Sequence, residues 1–226
     1  MNTADLLAKF RQRVDDLEEP YLWSDEEVYG YMDESQKEFC RATDGIPDAT
    51  TAAVVDISVV AGDTYLPLHP SILKIRGATR VDNSRLVEVV NYEDLAPGRR
   101  DYNGYDYTSL TYMGSPGPVC ALVIGEEYNK CRVWPQSNED MTIKLLVYRL
   151  PLKDILDEQP LEIRPEYHYN LLYWMLRNAY LKQDADTSDA RRSQEAEQMA
   201  RVWYDEVKRE ESKKRHKTRI VRYGGY

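Results

Sequence analysis

Groups able to do chemistry are few in this 226-residue chain, and they are poorly spaced for it. His69, His168 and His216 lie far apart in sequence, and each reads as structural rather than as a base. Cys40, Cys120 and Cys131 are odd in number and lack CxxC spacing. They are expected as reduced thiols, not as a disulfide framework or a zinc site. Asp184, Asp186 and Asp189 could hold a hard cation, but the glycine and closing glutamate of a calcium loop are missing. A solvated turn between helices with capping carboxylates is the better reading. With Glu166, these acids are the candidate pair for a wall-degrading hydrolase, which needs two carboxyl groups in one cleft. No Walker-type glycine loop, GxSxG or HExxH occurs. No catalytic residue, cofactor or metal ligand is assigned.

Charge is more informative. Residues 208–226 (KREESKKRHKTRIVRYGGY) hold eight cations and two carboxylates, a net +6 in a chain of −9. An acidic body therefore ends in a basic segment, which reads as a tail that leaves its own domain and docks elsewhere. Phosphate contacts with nucleic acid are one use for it, but the acidic body would repel a duplex. Arg219 and Arg222 flank Ile220 and Val221, which suits an extended segment docking in a protein groove or adding to a sheet edge. A protein partner is preferred. Tyr is abundant, 18 against 2 Phe, as suits a protein with much contact surface. Hydrophobic content of 42% with 31% charged residues is that of a soluble globular protein. No apolar run is long enough for a membrane helix and no secretory signal opens the chain, so the protein is expected to stay where it is made.

The elements that must carry these groups follow from periodicity. Thr3 is the expected cap of a first helix with Leu6, Leu7, Phe10, Val14 and Leu17 on one face, ended by Pro20. Ser24 and Glu27 form a capping box for a second helix, with Trp23 as a staple on Val28. Its buried face is Val28, Tyr31, Met32, Ser35 and Phe39, and Asp44-Gly45 stops it. The middle of the chain reads as β: Val54–Val60, Thr64–Leu68, Ile72–Val81, Arg85–Val90, Val119–Ile124, Lys130–Trp134 and Met141–Tyr148. Pro67 consigns its strand to an edge. Residues 91–118 read as a long surface loop. Helical period returns after Pro165, with Tyr169, Leu172, Tyr173, Leu176, Tyr180 and Leu181. A last helix from about Ala190 buries Ala196, Met199, Ala200, Trp203 and Val207. The expected fold is α+β: a helical bundle from 1–50 and 160–212, an inserted antiparallel β lobe at 51–159, and an extended C-terminal arm at 213–226.

Several blocks fall in order along the chain: Asp5-Leu6-Leu7 with Phe10-Arg11, Asp15-Asp16, Glu19-Pro20-Tyr21-Leu22-Trp23-Ser24-Asp25-Glu26-Glu27, Tyr31-Met32-Asp33-Glu34, Gln36-Lys37, Phe39-Cys40-Arg41 and Asp44-Gly45-Ile46. Ile72-Leu73-Lys74-Ile75-Arg76, Asn91-Tyr92-Glu93-Asp94, Glu166-Tyr167-His168 and Ala179 to Thr187 continue the series. Together they resemble the head-to-tail adaptor (connector) proteins of short-tailed bacteriophages. The resemblance implies a structural protein of the virion at the head–tail junction, assembled in the host cytoplasm. It implies a homododecameric ring between the portal protein and the tail (nozzle) protein. DNA would pass through its channel without specific binding, and no membrane is involved. An acidic wall suits that, because it repels phosphate. The resemblance also implies an arm reaching into the portal assembly, here Thr218, Arg219, Ile220, Val221, Arg222, Tyr223 and Tyr226. The readings from other classes are the hydrolase above and a surface-binding module using the loop Tyr102–Tyr112.

Overall fold

A computed structural model describes residues 1–95, 116–155, 160–182 and 188–215. They form five helices and eight strands, a mixed α+β chain that divides into two compact units. Met1–Asp44 and Lys153–Tyr226 make one; Gly45–Leu152 makes the other.

The first unit is helical. α1 (Thr3–Val14) starts at Asn2, whose side chain accepts from the Asp5 amide while Asp5 accepts from the Asn2 amide. That reciprocal box displaces Thr3, the expected cap, into the first turn, where its side chain is buried. Asp15 in the left-handed conformation, not Pro20, ends α1, so Leu17 falls outside the helix and is 59% exposed. α2 (Asp25–Thr43) begins with the expected Ser24–Glu27 box and ends at Asp44 and Gly45, both with positive φ. It buries Val28, Met32, Ser35, Gln36, Phe39, Cys40 and Thr43; Tyr31 is only half-buried. Later in the chain, Pro165–Tyr167 is a single 3-10 turn, and α4 (Leu171–Leu181) starts after it. α4 buries Leu171, Leu172, Met175, Leu176 and Ala179, leaving Tyr169 and Leu181 exposed. α5 (Ala190–Arg215) buries Ser193, Ala196, Ala200, Trp203, Tyr204 and Val207. Met199, expected inside, is 54% exposed, because Tyr204 takes the inward position. α1 and α5 each pack on both α2 and α4. Phe39 of α2 stacks on Trp203 of α5 with ring centroids 4.8 Å apart.

The second unit is one curled sheet. Its strands are β1 (Ile46–Asp48), β2 (Asp56–Val59), β3 (Tyr65–Pro67), β4 (Ile72–Arg80), β5 (Leu86–Asn91), β6 (Ala121–Ile124), β7 (Lys130–Trp134) and β8 (Met141–Arg149). The order is β1-β8-β4-β5-β6-β7-β3, with β2 also paired to β8. Every pairing is antiparallel except β5 with β6, which is parallel from Glu88↔Ala121 to Asn91↔Ile124. The expected all-antiparallel lobe is corrected at that step. Residues 92–120 supply the long connection a parallel pair requires. Val54 and Val55 are not strand but the end of a helical turn, α3 (Ala52–Val55). β3 lies at the end of the sheet order, where Pro67 costs no ladder hydrogen bond. β1 was not expected, since Pro47 reads as a stop; at a sheet edge it is tolerated.

Inside the curl, Val55, Ile57, Val59, Leu66, Leu122, Val133, Ile143, Leu145 and Val147 form the core. Cys131 is among them, and burial pushes its thiol up to about 12, so it is inert as a nucleophile. Gly45 turns the chain into β1 at φ +90, and an added Cβ would stand 2.8 Å from the Arg149 carbonyl oxygen.

Beside that turn, Asp48 is 6% exposed and accepts from Arg149 Nε at 2.6 Å and from the Thr50 and Thr51 amides. Burial works to raise its pKa, but these donors outweigh burial and hold the carboxyl well below the usual range. A depressed carboxylate stabilises the fold above its unfolded pKa, about 3.9, and that stability is lost as pH falls further. In urea titrations from pH 7 to pH 2, wild type should therefore lose on the order of 2 kcal/mol more than Asp48→Asn below about pH 4. Parallel acid limbs would refute this role of Asp48.

Candidate functional site

Two surfaces of the helical unit stand out, and each is built by a named set of side chains. The first is the linker between α1 and α2, residues 15–24. Arg11, 6% exposed, reaches out of α1 into it, donating to Asp16 Oδ2 at 2.9 Å, to the Trp23 carbonyl at 3.1 Å and to Asp25. Its guanidinium lies 3.5 Å from the ring centroid of Tyr21. Asp16, 4% exposed, returns the bonds by accepting from the Leu22 amide at 3.0 Å. Trp23 is tucked under the linker, edge-on to Phe10. A buried ion pair thus holds an irregular segment in one conformation. That conformation turns Leu17, Tyr21 and Leu22 outward, with Glu18 and Glu19 between them. At the end of α4, Lys182 closes the patch, donating to the Leu22 carbonyl and pairing with Glu27 at 2.9 Å. The Lys182 ammonium lowers the Glu27 pKa. Leu181 beside it is exposed as well.

The second surface is α5. At its far end Glu211 is fixed by Arg164 at 3.1 Å and by the Tyr167 hydroxyl at 3.0 Å, and Lys214 pairs with Glu210 and Glu211. Lys213, Lys214 and Arg215, the first residues of the expected arm, are thereby still helical. An outward face of α5, beside its buried residues, carries Met199, Val202, Glu206, Arg209 and Lys213 at spacings of three and four, all exposed.

The chemical candidates are dispersed. His168 is buried, its Nδ1 2.8 Å from the Met1 carbonyl and its Nε2 2.9 Å from the Ile163 carbonyl, so it ties the chain start to the turn before α4. His69 bonds Ser71 in a turn. Asp189 accepts from the Arg191 and Arg192 amides, capping α5 as expected of that turn. Glu166 sits before α4 and Asp189 after it, an 11-residue helix of about 16 Å apart. Paired catalytic carboxyls lie within about 10 Å, so these two do not make the hydrolase pair. Among the described residues no group of three or more His, Cys, Asp or Glu could hold a metal, and no helix is long and apolar enough to cross a membrane. Asp184, Asp186, His216, the loop Tyr102–Tyr112 and the whole arm from Thr218 to Tyr226 lie outside the described residues.

Two clefts mark the same unit. One, of about 460 Å³, lies between the first two turns of α2 and Asp154–Ile155, with Asp25, Glu26 and Asp33 on its walls. Lys37 bridges Asp33 and Asp154 there, and the bond to Asp154 first, then that to Asp33, raises its pKa. The other, of about 300 Å³, has Trp174 and Tyr204 at its base and Glu38, Arg201, Asp205 and Lys208 at its rim. Burial raises the Tyr204 hydroxyl pKa, so it stays protonated at any pH at which the protein works. Neither cleft joins a nucleophile to a base. What the unit offers is contact surface: a rigid apolar and acidic linker, and a helix face that runs from apolar to basic.

A family model described as SU10 adaptor protein matches residues 1–221. No curated protein matches the chain.

Proposed function

Because the chain belongs to the SU10 adaptor protein family, we propose that it is the head-to-tail adaptor of a short-tailed phage, a homododecameric ring between portal and tail. The chain is a phage structural adaptor, a role that engages other virion proteins. The family match, which spans nearly the whole chain and therefore both units, is the observation that carries the reading. In this reading the helices drawn from both ends of the chain form a bundle that meets the portal and neighbouring copies. The β-rich lobe is the inserted second domain, and the arm is the part of 213–226 that follows α5, beginning past Arg215 rather than at 213. Within it Thr218, Arg219, Ile220, Val221, Arg222, Tyr223 and Tyr226 dock on the portal. The net −9 supports a channel wall, since phosphate that is repelled slides.

Electron microscopy of the protein mixed with its portal tests the reading. A ring of adaptor density on the portal axis is expected, with added density from the arm entering the portal. Portals that stay bare at micromolar adaptor would overturn it.

A further inference from the structure

We propose that copies of this chain join side to side by seating the outward face of α5 of one copy on the α1–α2 linker of the next. The inference rests on the ring reading for closure, but it names the surfaces, which that reading does not.

Three observations carry it. The linker exposes Leu17, Tyr21 and Leu22 (59%, 37% and 47%) around Glu18 and Glu19, and among the described residues no ion pair holds either acid. It is not loose: the buried Arg11–Asp16 pair and the bond from Lys182 to the Leu22 carbonyl hold it, so presenting these side chains costs little ordering on binding. The facing surface has matching chemistry. Met199 and Val202 are exposed at 54% and 57%, and Arg209 and Lys213 continue the same helix face with no carboxylate partner among the described residues. Apolar thus meets apolar and acid meets base in one docked arrangement. Glu206, the one acid in the α5 stripe, has a counterpart in Arg13, exposed in the last turn of α1 and without an ion pair among the described residues.

The third observation is placement. α1 and α5 both pack on the α2–α4 pair, and the α5 stripe points away from the residues that bury against that pair. One rigid copy does not bring its own α5 stripe onto its own linker. A second copy does. The two patches differ, so the contact is heterologous, and a heterologous contact that closes makes a ring.

Sedimentation of the full chain at low salt, with two charge reversals, tests this. Glu18→Lys with Glu19→Lys, and separately Arg209→Glu with Lys213→Glu, should each weaken self-association by at least about tenfold. All four positions are exposed, so circular dichroism should be unchanged. An equimolar mixture of the two variants should regain association, since the native α5 of the first meets the native linker of the second and the reversed pair is complementary as well. Raising the salt should weaken the wild-type contact. Variants that associate like wild type, or a wild-type chain monomeric at millimolar concentration, would overturn the assignment. A photoreactive residue in place of Leu22 gives a second readout, with crosslinks to residues 195–213 of another copy expected. Crosslinks confined to other segments would overturn it. A portal-bound ring seen by microscopy with these surfaces unused would sink this inference and leave the adaptor reading standing.

Discussion

Deleting Thr218–Tyr226 should abolish joining to the portal and leave the thermal midpoint within about 2 °C of wild type. The last described turns of α5 are held by the body itself. Glu211, a turn before the helix terminus, is held by Arg164 and the Tyr167 hydroxyl, and Lys214 closes on Glu210 and Glu211. The segment beyond carries Arg219 and Arg222 around Ile220 and Val221, a pattern that supplies apolar anchors with flanking cations. Charge alone is a weaker anchor than charge with buried apolar surface. Ile220→Ser with Val221→Ser is therefore expected to weaken portal binding at least as much as Arg219→Ala with Arg222→Ala. Pull-down of truncated adaptor on assembled portals is the measurement. Binding undiminished by the truncation would move the docking site to the folded body.

The second large effect is one of stability. Asp16→Ala should cost about 3–5 kcal/mol, because it leaves the Arg11 guanidinium buried with its main counter-charge gone. It also strips the acceptor from the Leu22 amide, a donor the irregular linker cannot satisfy within itself. Asp25→Ala removes a second Arg11 partner, but that carboxylate is 56% exposed, so its loss should cost about 1 kcal/mol or less. Urea midpoints of the two variants decide the matter; equal losses would show that burial is not what makes the Arg11 pair count. If the linker is also the seat for a neighbouring α5, Asp16→Ala should impair self-association at temperatures where the chain is still folded.

Much of the helical unit was legible because its signals are local. Ser24 and Glu27 sit three apart before an apolar period, and that spacing alone makes a capping box. The stop at Asp44-Gly45 is equally local, since both residues tolerate the positive φ the turn requires. Where the reading failed, two local signals competed. Asn2 and Thr3 are both capping types, and the Asp5 that completes a box with Asn2 decided between them. Met199 and Tyr204 both fit the helical period of α5; Tyr204 won because Phe39, Trp174 and Trp203 surround its ring. The parallel β5–β6 step left no trace in any strand's own pattern, because pairing partners 33 residues apart are set by how the sheet curls.

By itself, the order of residues determined the two helical ends and β middle, the acidic body with its basic end, and the lack of any specific catalytic motif. These depend on spacing and composition, which need no partner in space. Only the tertiary structure decided which apolar residues are spent in the core and which are left outside. Leu17 and Met199 look like core in sequence and are surface in fact, one because Asp15 ends α1 early, the other because α5 turns Tyr204 inward. Burial is a property of a whole neighbourhood, and the surfaces proposed for assembly are made of what that neighbourhood leaves over.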